Sequence, residues 1–232
     1  MVISRSPDAA KTMEGNIKFG DQILKLDDSI SILGVTFDRK LNFEHIKEIT
    51  HKASLRVTIL RRMKHLLDAR GLRVLYRAQV RPFLEYGTLT WMSSPRTYMN
   101  MLNKVQQRAE QLITSAYYRE GEHVITEDSL GHRRDVATLC VMHKVQIQRV
   151  PHLQGLRIPT RRSQQSTRTM LSSECLVEVP WSNSSQHQRT YVSRAARLWN
   201  SFTSTVDAQS LTMQQAKVAA HTWRRQHPDS SQ

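Results

Sequence analysis

The sequence predicts a mainly α-helical fold with a small antiparallel β hairpin or sheet near its N-terminus, a helical bundle, and a looser basic C-terminal tail. Three observations lead there. Short apolar, β-branched runs with a turn signal fill residues 1–38, and apolar residues recur at steps of three and four from Asn42 onward. Cap residues and prolines bound several helix-length stretches after that point. Charge is divided unevenly: residues 1–38 hold 4 Lys/Arg and 6 Asp/Glu, residues 39–128 hold 16 and 9, and residues 129–232 hold 14 and 5.

The β-rich part comes first. Residues 1–4, Met-Val-Ile-Ser, are short and apolar enough for a strand. Residues 17–19 and 22–26 flank Gly20 and Asp21, a hairpin turn signal. Residues 29–37 are β-branched and read as one strand, in which Gly34 marks a bulge or the close approach of another backbone.

Helices follow. Over residues 42–67, Ile46, Ile49, Ala53, Val57, Leu60, Met63 and Leu67 share one face at about 100° per residue. Lys47, His51, Arg61, Arg62 and His65 fall on roughly the opposite face. Asp68 suits the N-cap of a second helix carrying Leu72, Leu75, Tyr76 and Phe83, which Pro82 should kink or end. Ser94 as cap and Pro95 in the first helical position start a third, running to about Tyr118 through Leu102, Val105, Ala109, Leu112 and Ala116. A fourth begins near Asp128 and Ser129, carries Val136, Ala137, Cys140, Val141 and Val145, and stops by Pro151. Residues 151–188 lose periodicity and read as an extended linker, with one short strand at residues 175–179 ahead of Pro180. A fifth helix over residues 188–202 aligns Val192, Ala195, Trp199 and Phe202. A sixth starts in a capping box of Thr212 and Gln215 and carries Ala216, Ala219 and Trp223.

Composition narrows the class. The 232 residues suit one or two domains. Apolar residues are 39% of the chain, enough for a modest core. The net charge of +14 excludes an acidic solvating protein and favours a polyanionic partner. No run approaches the ~18 apolar residues of a membrane span, and the N-terminus does not read as a signal peptide. Two cysteines, Cys140 and Cys175, cannot build a disulfide framework, so a nuclear or cytoplasmic, non-secreted protein is expected.

The chemistry-bearing candidates are few. Asp27-Asp28 could hold a divalent ion only with a further carboxylate such as Asp21 or Asp38, and the pair otherwise reads as a charged turn. Cys140 and His143 share a helix but have no second ligand pair, and His123 and His132 flank Glu127-Asp128 without a nucleophile. No phosphate loop, nucleophile elbow or zinc-protease motif is present. The sequence thus offers no self-contained active site: no catalytic residues, no metal ligands and no cofactor are expected. The stronger signal is basic. Lys47, Arg61 and Arg62, then Arg70, Arg73 and Arg77, then Lys104 and Arg108 could line a phosphate-contacting surface, or could solvate helix faces. Aromatics interleave too sparsely for a base-stacking platform.

Five segments resemble one family in order. Residues 32–43, Ile-Leu-Gly-Val-Thr-Phe-Asp-Arg-Lys-Leu-Asn-Phe, resemble the apolar-L-G-V-x-x-D-x-x-L-x-F/W segment of the distal palm of non-LTR (LINE-type, jockey-like) retrotransposon reverse transcriptases. Residues 75–86, ending Val-Arg-Pro-Phe-Leu-Glu-Tyr and completed by Trp91, resemble the family's L-Y-K-x-x-V-R-P-x-L-E-Y-x-x-x-x-W signature. Lys104–Ala109 is similar to K-V-Q-R-R-A, residues 130–135 to L-x-x-R-R-D, and residues 194–201 to R-A-x-R-L-W-N-x-L.

The resemblance implies a C-terminal fragment of an RNA-directed DNA polymerase. Residues 1–40 would be a distal-palm, primer-grip-like β segment, 41–150 a thumb-like helical domain, 151–188 a linker and 189–232 a helical tail. Leu33, Gly34 and Val35 would lie nearest the primer end, and a glycine permits close backbone approach. The family's metal-binding aspartates lie on earlier strands, including an F/Y-x-D-D hairpin, and Asp27-Asp28 does not match it. No Cys/His knuckle is present in the tail. The fragment would therefore contact an RNA/DNA template–primer duplex, and the missing palm and fingers, without polymerising. Mg²⁺ would belong only to a complete polymerase. The alternatives are a basic helical module that binds nucleic acid or protein, and a non-functional transposon remnant.

Overall fold

The computed structural model describes residues 8–13, 16–121, 123–124, 126–160 and 175–228. In chain order the elements are α1 (Asp8–Met13), β1 (Lys18–Phe19), β2 (Gln22–Ile23), β3 (Ser29–Ile32), β4 (Val35–Asp38), α2 (Glu44–Met63), α3 (Ala69–Gln79), α4 (Arg81–Glu85), α5 (Thr88–Trp91) and α6 (Arg96–Glu120). After these come α7 (Leu130–Gln146), a 3₁₀ helix (Pro151–Leu156), α8 (Ser185–Gln188), α9 (Tyr191–Thr203) and α10 (Met213–Gln226). The chain is mostly helical with two small antiparallel sheets near the N-terminus. The strand expected at residues 1–4 lies outside the described residues.

The described residues form two compact units: those up to 87 with those in 94–124, and 88–93 with those from 126 to 228. The apolar face of α7 enters the second unit, so residues 41–150 do not make one compact body.

In the first unit, β1 and β2 pair across Gly20, whose φ of 60° suits the tight turn. The stretch 29–37, expected as one strand with a bulge, is instead a hairpin. Ile32 lies opposite Val35, and Leu33 and Gly34 make the turn with φ of 49° and 78°. Two consecutive positive φ values are the mark of the turn whose twist matches that of paired strands. The entry to α2 is fixed by Asp38, whose carboxylate accepts the N–H groups of Lys40 at 3.1 Å and Asn42 at 2.8 Å.

The apolar stripe of α2 is buried as expected at Ile46, Ile49, Ala53, Val57 and Leu60. The helix ends at Met63, where the N–H groups of Leu66 and Leu67 turn back to the Met63 carbonyl, so Met63 and Leu67 are only half-buried. Asp68 caps α3 by accepting from Gly71 N–H at 2.7 Å. Pro82 sits in the first turn of α4, where its missing donor is not needed. The cap of α6 is Pro95 rather than Ser94, which is buried one residue earlier. Helices α2 and α6 run parallel. Their first turns meet at Phe43 and Tyr98, with ring centroids 6.4 Å apart, and at their far ends Arg119 donates to the Lys64 carbonyl. The N-terminus of α3 meets that far end, where Ala69 N–H donates to the Glu120 carboxylate at 3.0 Å. Helix α3 therefore runs antiparallel to both.

The second unit is built around α7, against which α10, α9, α5 and the 3₁₀ helix pack. Its core joins Val136, Leu139 and Met142 to Trp199, Phe202 and Trp223. Phe202 meets the Trp223 ring edge-on at 5.7 Å. Residues 151–188 were expected as an extended linker with a short strand at 175–179; of the described parts, 151–158 pack on α7, residues 175 and 177 are bonded to α9, and the expected strand is a single bridge. Ile158, Cys175 and Val177 are buried, and Thr160 bridges Val177. Trp199 donates its indole N–H to the Cys175 carbonyl, and the Asn200 amide both donates to and accepts from the Val177 backbone at 2.8 Å. Side-chain amides here replace the sheet partners that a lone strand lacks. The sixth expected helix, α10, opens in the Thr212–Gln215 capping box.

Candidate nucleic-acid interface

The site begins at the β3–β4 tip in the first unit. Leu33 takes a left-handed backbone conformation that costs an L-residue about 1–2 kcal/mol, and the residue is 86% exposed. Nothing gained from packing compensates there. The turn is held by Tyr86, whose hydroxyl donates to the Leu33 carbonyl. A Cβ added to Gly34 would stand 3.6 Å from the Tyr86 ring, so the glycine answers to its φ rather than to lack of space. Val35 turns inward and is buried. Of the three residues expected nearest a primer end, Leu33 and Gly34 are therefore presented at the tip and Val35 supports it.

Beneath the tip lies a cavity of about 470 Å³ lined by Ser31, Thr36, His45, Lys52, Phe83 and Tyr86 among others. His45 Nδ1 accepts from Thr36 N–H at 3.2 Å, which leaves the imidazole proton on Nε2, buried and without a partner in the described residues. Burial pushes the His45 pKa below 6.5, with the neighbouring Glu48 acting the other way and Lys52 reinforcing the shift. Glu48 and Lys52 pair at 2.6 Å on the same wall.

The eight expected phosphate contacts all belong to the first unit but do not form a single row. Arg61 and Arg62 are exposed in the last turn of α2, and Arg70 is exposed in the first turn of α3. The connection between these helices is short, and Arg119 of α6 reaches Lys64 there, so one end of the helix layer gathers cations. Lys47 stands 14 residues before Arg61, about 21 Å along the helix. It is bonded to Glu44 at 2.7 Å and lies 6.0 Å from the Tyr98 ring centroid. That hydrogen bond holds its pKa above the ordinary lysine value. Arg73 is half-buried and Arg77 exposed on α3, while Lys104 and Arg108 are exposed on successive turns of α6. Cations in the last turns of α2 and α6 also complement the helix dipoles.

The second unit uses much of its positive charge internally. Asp135, with no exposed surface, accepts from Arg194 at 2.7 Å and Arg224 at 2.8 Å. Arg134 donates to the Leu130 carbonyl, and burial, helped by Arg194, lowers its pKa to about 10. Arg133 is buried and donates to the Asp128 carbonyl. The +9 of residues 129–232 is thus a poor measure of the charge this unit offers a partner.

Asp27-Asp28 sits in the loop before β3, and the Asp28 side chain is 97% exposed, 3.9 Å from Arg39. No convergent carboxylate group forms there among the described residues. Cys140 is half-buried against the second unit's core, and burial pushes its thiol pKa up. His143 Nε2 meets the Leu211 carbonyl at 3.1 Å, apart from any ligand set.

Sequence reasoning missed one cluster: Asp128, His132 and His221 bring their ligand atoms within 4.8 Å of one another. His132 and Asp128 share an i,i+4 spacing, but His221 lies 89 residues further on, and no local signal links it to them.

Comparison of the chain with protein-family models, with curated proteins and with solved structures finds no match in any of the three.

Proposed function

We propose that the chain is the thumb-containing C-terminal part of a non-LTR retrotransposon reverse transcriptase, and that it grips template–primer nucleic acid by the backbone without catalysing polymerisation. The observation that carries this reading is the Tyr86–Leu33 hydrogen bond. It ties the end of the L-E-Y segment to the turn of the L-G-V segment, 53 residues earlier. A second pair of motif segments meets likewise, since Asp135 of the R-R-D segment binds Arg194 of the R-A-x-R-L-W-N segment. Motif residues that contact one another across long separations are what a shared fold would require of them.

The exposed, strained tip and the basic end formed by Arg61, Arg62 and Arg70 supply the contact surfaces. Phosphate contacts position a protein on a duplex but carry no sequence information. The test is equilibrium binding of a labelled RNA–DNA hybrid to the purified chain, measured alongside a scrambled-sequence hybrid. Equal, salt-sensitive affinities support the reading. Absence of binding at low salt, or a strong preference between the two sequences, removes it.

A further inference from the structure

The second unit holds a three-residue constellation that the nucleic-acid reading does not use. Asp128 precedes α7, His132 lies in its first turn, and His221 comes from α10, the helix packed along α7. Asp128 Oδ2 stands 3.8 Å from His132 Nε2 and 3.7 Å from His221 Nδ1, and the two imidazole nitrogens are 2.9 Å apart. Zinc bonds of about 2.0–2.1 Å in a tetrahedron put ligand atoms roughly 3.4 Å apart. The observed triangle brackets that edge length. The two rings face each other with centroids 5.1 Å apart and planes inclined by 29°.

We propose that Asp128, His132 and His221 bind a single Zn²⁺ ion, leaving a fourth position for water or another small ligand. Two imidazoles and one carboxylate oxygen make a borderline donor set that suits zinc over magnesium or calcium, which take oxygen ligands. In the metal-free geometry one imidazole N–H donates to the other ring; when the ion binds, the donor ring shifts that proton to its other nitrogen, so each ring turns a lone pair to the ion.

Arg225 is the competitor. It contacts both Asp128 oxygens at 3.4 Å, longer than the about 2.7–2.9 Å of a strong charge-assisted bond, and its side chain is 65% exposed. It can therefore withdraw to one oxygen, orienting the carboxylate while the other meets the ion. A bound ion would fasten the start of α7 to α10 within the second unit.

The experiment uses the full, untagged chain, stripped with a chelator and then titrated with Zn²⁺ by competition against a chromophoric chelator, and with Co²⁺ by visible absorption. The expected result is one ion per chain and the intense visible bands of four-coordinate Co²⁺. His221→Ala and Asp128→Asn should each weaken binding at least about tenfold, while the exposed-site control His152→Ala should not. Far-UV circular dichroism of each variant checks that the helices persist. Two variants keep the test decisive if one disturbs the fold. Sub-stoichiometric binding, or full affinity in both ligand variants, overturns the proposal.

Discussion

Asp135 and Arg194 form a 2.7 Å ion pair in which the carboxylate has no solvent exposure, and Arg224 completes it from the other oxygen at 2.8 Å. Removing one partner of such a group leaves the others buried and uncompensated, which costs about 3–5 kcal/mol. Asp135→Ala should therefore lower the stability of the second unit by that amount, read from its denaturant midpoint. Arg194→Ala should cost less, because Arg194 is 26% exposed and Arg224 remains in place. Equal small effects, near 0.5 kcal/mol, would place the trio among ordinary surface pairs.

The β3–β4 turn gives the opposite sign. Leu33 makes no packing that asparagine would forfeit, and asparagine accepts positive φ more readily. Leu33→Asn should raise the melting temperature of the first unit, by a free-energy gain of up to about 1 kcal/mol. Gly34→Ala should lower it by about 1–2 kcal/mol despite the room for a Cβ. If Leu33→Asn stabilises the fold yet weakens duplex binding, the exposed leucine is retained for contact rather than for folding. The readout is paired: thermal melting and hybrid affinity on the same variant.

Histidine burial sets the acid side of stability. His45 and His143 have pKa values pushed below 6.5, chiefly by burial, with the Leu211 and Ala208 carbonyls partly opposing the shift at His143. Well above pH 6.5 both rings are neutral whether folded or not, so their contribution is complete. As pH falls below 6.5 the unfolded chain binds protons that the folded chain does not, and stability declines until the folded values are passed. Denaturant midpoints should therefore drop between about pH 7 and pH 5, and His45→Gln should flatten the part due to the first unit. A midpoint independent of pH across that range would contradict the burial seen for these rings.

What the sequence made legible was local. Asp68, Ser129 and the Thr212–Gln215 box lie within three residues of the N–H groups they cap, and each does so. The α2 stripe was legible because only one face of that helix is buried. On α7 the expected stripe of Val136, Ala137, Cys140, Val141 and Val145 is only partly right, since Leu139 and Met142 are the more deeply buried residues. That helix buries polar groups as well, including His132, Asp135 and His143, so apolar periodicity does not pick out its face. The hairpin at Leu33 was hidden because leucine is a poor residue for positive φ and does not advertise a turn. Arg61, Arg62 and Arg70 were readable as exposed helix positions, but their gathering at one end depends on the short turn that brings the end of α2 to the start of α3. The Asp135–Arg194 and His132–His221 pairs span 59 and 89 residues, beyond any periodic or capping signal.

The salt dependence of duplex binding tests the backbone grip most directly. Affinity for an RNA–DNA hybrid or a B-form duplex is measured across a range of salt concentrations for the parent chain and for Arg61→Glu/Arg62→Glu. Four to five phosphate contacts at the basic end would give a slope of about −3.6 to −4.5 in log K against log salt on B-DNA, since each contact contributes roughly −0.9. The double reversal should weaken binding and flatten that slope by about 2. Unchanged affinity and slope in the reversed variant would show that Arg61 and Arg62 serve the helix terminus alone, and that the chain does not hold nucleic acid by this end.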